Sequence, residues 1–302
     1  MDRPNGRFDQ AWALREAVMS SRQAQSRFRG LRSIAVVSGK GGVGKTNLSV
    51  NLALAMGQLG RDVMLMDADM GLANVDLLLG VVPKHHLGHV IGGTMGLEDI
   101  VISVNDRVRL IPGGAGFSDL ADLDEQSQAM LIERFSAMES QAEVLLVDTG
   151  AGIHRNVISF AAAADQVLLL TTTEPTAIRD AYGVLKSLVM GVSWKPNVSL
   201  VVNMAMSQEE ALSVADRVRM AASQFLDLAI DYVGYVPWDQ SVMESVRRRR
   251  PFLLEMPDSP AASCVKVIAR RLVSGGQDQE APQGRGLKAF MLRLGRRMRL
   301  KS

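Results

Sequence analysis

The tightest constraint in this chain is the octet Gly39-Lys40-Gly41-Gly42-Val43-Gly44-Lys45-Thr46. The strand-like run Ile34–Ser38 leads into it and the helical run Asn47–Met56 leaves it, which is the strand–loop–helix setting a phosphate-binding loop needs. Glycines 39, 41, 42 and 44 let backbone amides curl around phosphate oxygens while the following helix, opened by Asn47, presents its positive end. Lys45 supplies a charge to the β- and γ-phosphates, and Thr46 offers a hydroxyl to Mg2+. The octet therefore implies ATP and Mg2+ as ligands; the competing reading is a plain glycine-rich turn.

Apolar, β-rich runs recur at Ser33–Ser38, Val63–Asp67, Val108–Pro112, Val144–Asp148, Gln166–Thr171, Val198–Asn203 and Tyr232–Pro237. Between them lie helical patterns, among them Lys45–Leu59, Gln126–Glu139, Thr176–Val189 and Gln208–Leu226. Strands without polar alternation are buried on both faces, so the pattern predicts an α/β fold with a mainly parallel, doubly wound sheet flanked by helices. With 302 residues, 47% hydrophobic and 22% charged, the chain suits one large domain with appendages. Residues 1–31 read as an arm, 32–273 as the nucleotide domain, 274–284 as a Gly/Gln/Pro-rich linker, and 285–302 as a basic amphipathic helix.

An ordinary phosphate loop has no fixed residue at the position of Lys40. Its placement resembles the MinD/ParA-type deviant Walker A ATPases, and the likeness runs in motif order from about residue 33 to 272. The resemblance implies ATP hydrolysis by an ATP-dependent homodimer in which Lys40 reaches the partner's phosphates, as an arginine finger does. It further implies that Asp69 orients the attacking water, that Asp148 holds Mg2+ through water, and that Asp67 stands behind the ion. Asp67 has a second reading, in a turn or helix cap. By the same resemblance Asn203 and Pro237 meet adenine, though each also suits a strand end, and Asp180 lies on a partner-binding face.

Within that family, members needing cysteine pairs are excluded by the single Cys264, and the tyrosine kinases by a tail without tyrosine. In the last helix Leu287, Phe290, Met291, Leu294 and Met298 form one stripe among arginines and lysines, which reads as a helix lying on the inner leaflet of the cytoplasmic membrane. The alternative is docking on its own domain or on a protein. In the arm, Asp9-Gln10-Ala11-Trp12-Ala13-Leu14-Arg15 resembles the DQAxxLR activator motif of the FlhG-type flagellar-number regulators, with Trp12 bulkier than that family's usual residue. The resemblance makes Asp9, Gln10, Ala11, Leu14 and Arg15 a contact for an FlhF-type GTPase, and adds a flagellar transcription regulator or switch-complex protein as partner. A division-site ATPase and a DNA-binding partition ATPase are the competing readings.

Lys+Arg of 34 against Asp+Glu of 32 gives no global field for nucleic acid, and no specific nucleic-acid partner is expected. The polar N-terminus has no secretory apolar stretch and a lone thiol suits a reducing compartment, so a cytoplasmic protein, peripheral on the membrane in its ATP state, is expected. His85, His86 and His89 read as residues of a short surface helix rather than a metal set. Arg247–Arg250 reads as a solvated helix end, or as an extension of a basic surface.

Overall fold

A computed structural model describes residues 31–69, 74–114, 125–275 and 285–299. The strands are β1 (Arg32–Ser38), β2 (Val63–Ala68), β3 (Ile102–Ser103), β4 (Val108–Ile111), β5 (Val144–Ala151), β6 (Gln166–Thr172), β7 (Val198–Ala205) and β8 (Ile230–Pro237). The helices are α1 (Lys45–Gln58), α2 (Val75–Leu79), α3 (Leu87–Ile91), α4 (Leu97–Ile100), α5 (Glu125–Ala137), α6 (Arg155–Ala163), α7 (Pro175–Gly191), α8 (Gln208–Leu226), α9 (Gln240–Arg247), α10 (Phe252–Glu255), α11 (Pro260–Gly275) and α12 (Leu287–Arg299).

The strands form one sheet in the order β3-β4-β2-β5-β1-β6-β7-β8. Among the described residues only the β3–β4 edge pair is antiparallel. Alternate residues of the central strands feed two separate cores: Ala35 and Val37 of β1 face the α6, α7 and α8 side, while Ile34 and Val36 face α1 and α11. This two-sided burial is why the strand segments carry no polar alternation. β1 sits between β5 and β6, where the chain stops adding strands on one side and starts adding them on the other. In such a sheet the ligand crevice opens beyond the strand ends at that reversal.

Local capping sets the helix starts. Pro175 opens α7 directly after Glu174. The Ser207 side chain accepts from the Glu210 N–H at the start of α8, and Asp239 accepts from the Ser241 N–H at the start of α9. Beyond the sequence reading, the structure adds β3, α6 and α11. Because α11 runs to Gly275, the first two residues of the expected linker are helical.

The stripe of α12 requires a correction. Leu287, Phe290, Met291, Leu294 and Met298 do not face outward: each is at most 3% exposed, inside the core shared with α5 and α6. Phe290 stacks on Phe160 with ring centroids 6.5 Å apart. Arg293 donates to the Ala163 carbonyl at 2.6 Å and pairs with Asp165 at 2.8 Å, both side chains nearly buried. Arg155 donates to the Met298 carbonyl at 2.7 Å, and Arg297 lies 5.1 Å over the Trp194 ring. The physical reason is that an amphipathic stripe is stabilised by any dry apolar surface, and the domain provides one of its own. Lys288, Leu292 and Arg296 form the exposed side of the docked helix.

Among the described residues no helix is long and apolar enough to cross a membrane. Asp9, Gln10, Ala11, Leu14 and Arg15 lie outside the described residues, as does 276–284.

Candidate nucleotide site

The loop from Gly39 to Gly44 leaves β1 and enters α1 at the centre of the sheet's C-terminal edge. Two glycines there are structural necessities. A β-carbon on Gly39 would lie 2.2 Å from the backbone carbonyl of Asp180, so the loop rests directly on α7. Gly44 has φ 87°, and a β-carbon on it would come within 2.4 Å of Asn203 Nδ2. A cavity of about 520 Å³ opens over the loop, with Lys40, Lys45, Thr46 and Asp69 in its wall.

Beneath the loop, β2 and β5 place Asp67 and Asp148 in direct register. Asp148 is fully buried; Ser49 donates to its Oδ1 at 2.7 Å and Lys45 Nζ stands 3.6 Å away. Its Oδ2 is buried, with no hydrogen-bond partner among the described residues. Burial pushes the Asp148 carboxyl up, while Lys45 and the Ser49 and Thr46 hydroxyls pull it down. Asp67 is pushed up to about 7, first by burial and then by the neighbouring Asp148. An orphaned, buried carboxylate oxygen beside a threonine hydroxyl is a hard-oxygen set, and it fits a magnesium ion.

Asp67 also organises the chain around it. It accepts from the N–H of Asp69 at 3.1 Å and of Val75 at 3.3 Å, and so ties down both flanks of 70–73. The capping reading of Asp67 thus describes its contacts, alongside its register with Asp148. Asp69 lies over Gly150, its Oδ1 3.5 Å from where a β-carbon there would sit. Its carboxyl shares the cavity with Lys45 and Thr46.

Lys40 is turned toward its own α7, pairing with Glu174 at 2.5 Å and meeting the Thr176 hydroxyl at 3.4 Å. That contact holds the Glu174 carboxyl below its ordinary range. Asp180 pairs with Arg179 at 3.5 Å on the same helix, and its backbone is the floor under Gly39.

On the base side, a second pocket of about 140 Å³ is lined by Asn47, Asn203, Met204, Pro237, Trp238 and Met243. Asn203 Nδ2 donates to the Val43 carbonyl at 2.8 Å, so its first role is to strap β7 to the loop. Sequence reasoning passed over Trp238 and Met204; an aromatic directly after Pro237 at a strand end was the available signal. The histidines serve locally. His86 accepts from the Gly88 N–H at 3.2 Å to start α3, His89 accepts from the His86 N–H at 3.3 Å, and burial and the adjacent imidazoles pull His86 down.

Residues 34–252 match the CobQ/CobB/MinD/ParA nucleotide binding domain. The chain is 43% identical over 241 residues to the antiactivator FleN of Pseudomonas aeruginosa, covering 80% of this chain and 86% of that protein. It is 33% identical over 267 residues to the flagellum site-determining protein YlxH of Helicobacter pylori, covering 86% and 88%. Among solved structures, the cell division ATPase MinD of Pyrococcus furiosus superposes with a TM-score of 0.65 at 25% identity, covering 81% of this chain and 99% of that one.

Proposed function

From the premise that this chain belongs to the CobQ/CobB/MinD/ParA nucleotide-binding family and is one of its P-loop ATPases, we propose that it regulates flagellar number and placement as an ATP-switched dimer that carries α12 to the membrane. Similarity to an antiactivator FleN and to a flagellum site-determining protein over most of the chain is the observation that carries the flagellar reading.

The residues divide the work as follows. Lys45 pairs with Asp148 at 3.6 Å, and its ammonium is the charge for the nucleotide's phosphates. The Asp148 carboxylate, through water, and the Thr46 hydroxyl would then hold magnesium, which would supply charge neutralisation to the phosphates. Asp69 orients the attacking water and accepts its proton. Lys40 leaves Glu174 for the partner's phosphates, so hydrolysis waits on dimerisation. Asn203 and Pro237 frame the adenine.

The docked α12 supports nucleotide control of attachment: the stripe is hidden in this conformation and must leave its groove to meet lipid. Two released helices in one dimer raise effective concentration and strengthen attachment without new contacts. The 1–31 arm acts on an FlhF-type GTPase through Asp9, Gln10, Ala11, Leu14 and Arg15. The test is co-sedimentation with anionic vesicles. Binding and dimerisation are expected with ATP, lost in Lys45→Ala and locked on in Asp69→Ala; vesicle binding indifferent to ATP overturns the switch. A 1–31 peptide should raise GTP hydrolysis by FlhF, and no rise would move the reading to a division-site role.

A further inference from the structure

The nucleotide cavity has a wall residue from far along the chain that none of the roles above uses. We propose that Arg249 is a phosphate-binding residue for the protomer's own nucleotide, a second cation from the same chain beside Lys45. Arg249 forms part of the wall of the 520 Å³ cavity together with both lysines.

Its backbone is the second observation. Arg249 has φ 53°, the left-handed region that glycine or asparagine ordinarily fills after a helix end and that a β-carbon disfavours. The turn is held there from several sides. The N–H groups of Arg248, Arg249 and Arg250 donate to the carbonyls of Glu244, Val246 and Ser245 at 3.1, 3.0 and 3.1 Å. Arg248 and Arg250 both pair with Glu255, at 2.8 and 3.8 Å. Strain kept by surroundings that over-determine it points to use at a site.

The third observation is the side chain. It is exposed, and among the described residues it makes no hydrogen bond or ion pair, unlike the arginines on either side. Val246 before it and Leu77 and Leu78 of α2 line the same cavity and offer it no anion. A guanidinium fork in that position matches phosphate oxygens, which accept two N–H bonds at once.

The test uses the full chain with Arg249→Gly and Arg249→Asn, both at ease in the left-handed region. Binding of Mg·ADP and of a non-hydrolysable Mg·ATP analogue is followed by calorimetry, and the nucleotide-free thermal midpoint is measured alongside. Both Kd values should rise about fivefold to thirtyfold, the span of a charge-assisted hydrogen bond reduced for solvent exposure. The nucleotide-free midpoint should hold or rise, which a merely structural arginine would not give, and Arg249→Lys should recover part of the affinity. Affinities within about twofold of the parent protein overturn the assignment. So does a defect confined to ATP-driven dimerisation with ADP affinity intact, which would give the guanidinium to the partner's nucleotide.

Discussion

Asp165→Asn acts on the docking of α12 without altering the helix itself. Asp165 accepts from the Ser33 N–H and hydroxyl, both at 2.8 Å, and from Arg293 at 2.8 Å. Asparagine keeps the volume and an acceptor for Ser33, but leaves the Arg293 guanidinium nearly buried with its counter-charge gone. Removing one partner of a buried pair costs about 3–5 kcal/mol. The loss at Arg293 falls on the docked state, since an undocked Arg293 is solvated, while the loss at Arg32, whose charge Asp165 also steadies, is common to both states. The docking equilibrium should therefore move toward release by a factor of about 10² to 4 × 10³. Hydrogen exchange over 287–299 should accelerate accordingly, and the nucleotide-free protein should sediment with anionic vesicles. A second change, Arg293→Met, should restore protection by replacing the orphaned charge with an apolar side chain of similar reach. If Asp165→Asn lowers the melting temperature while 287–299 stays as protected as in the parent, the pair holds the domain and not the helix, and the reasoning is refuted.

Three further outcomes follow from the site. Gly39→Ala should destabilise the fold by about 1–3 kcal/mol, because a backbone carbonyl of α7 cannot step aside as a side chain can; nucleotide affinity should fall with it, and a parent-like urea midpoint and ADP affinity would contradict the contact. The Asp67 carboxyl, raised to about 7, holds its proton more tightly folded than unfolded, so in magnesium- and nucleotide-free buffer stability should be full below the unfolded pKa of 3.8 and decline as pH rises to about 7. The loss amounts to about 4 kcal/mol at most; urea titrations across that range should show the slope, and Asp67→Asn should flatten it. With Trp12 and Trp194 changed to Phe, ADP should alter the emission of Trp238, and an unchanged spectrum would remove that ring from the base pocket.

The elements that were legible in the sequence are those whose partner surfaces are fixed by covalent neighbours. The glycine octet sits between its own strand and helix, and the runs ending at Asp67 and Asp148 carry both carboxylates to one edge because parallel strands share a direction. The sheet's sidedness followed from unbroken Val and Leu runs. The fate of α12 was not legible, because a stripe at helical spacing specifies an apolar partner and not which one; its groove is assembled from Phe160 and its neighbours on segments more than a hundred residues earlier. Asn203 is a similar case. Its strap to Val43 joins positions 160 residues apart, and nothing local in either segment announces it. Arg249 was read only as one member of a basic run, since a single residue's φ has no signature in charge pattern.

The place of β1 in the sheet has a consequence for biosynthesis. Both of its neighbours are made late: Ile34 aligns with Leu146 of β5 and with Gln166 of β6. The strand that launches the phosphate loop therefore emerges from the ribosome with no sheet partner and waits for more than a hundred further residues. Such long-range pairing is slow and leaves an apolar edge open to other chains until it closes. Nucleotide capture should thus begin only once β6 is out, and chains released before Thr172 should be nucleotide-blind and prone to aggregate.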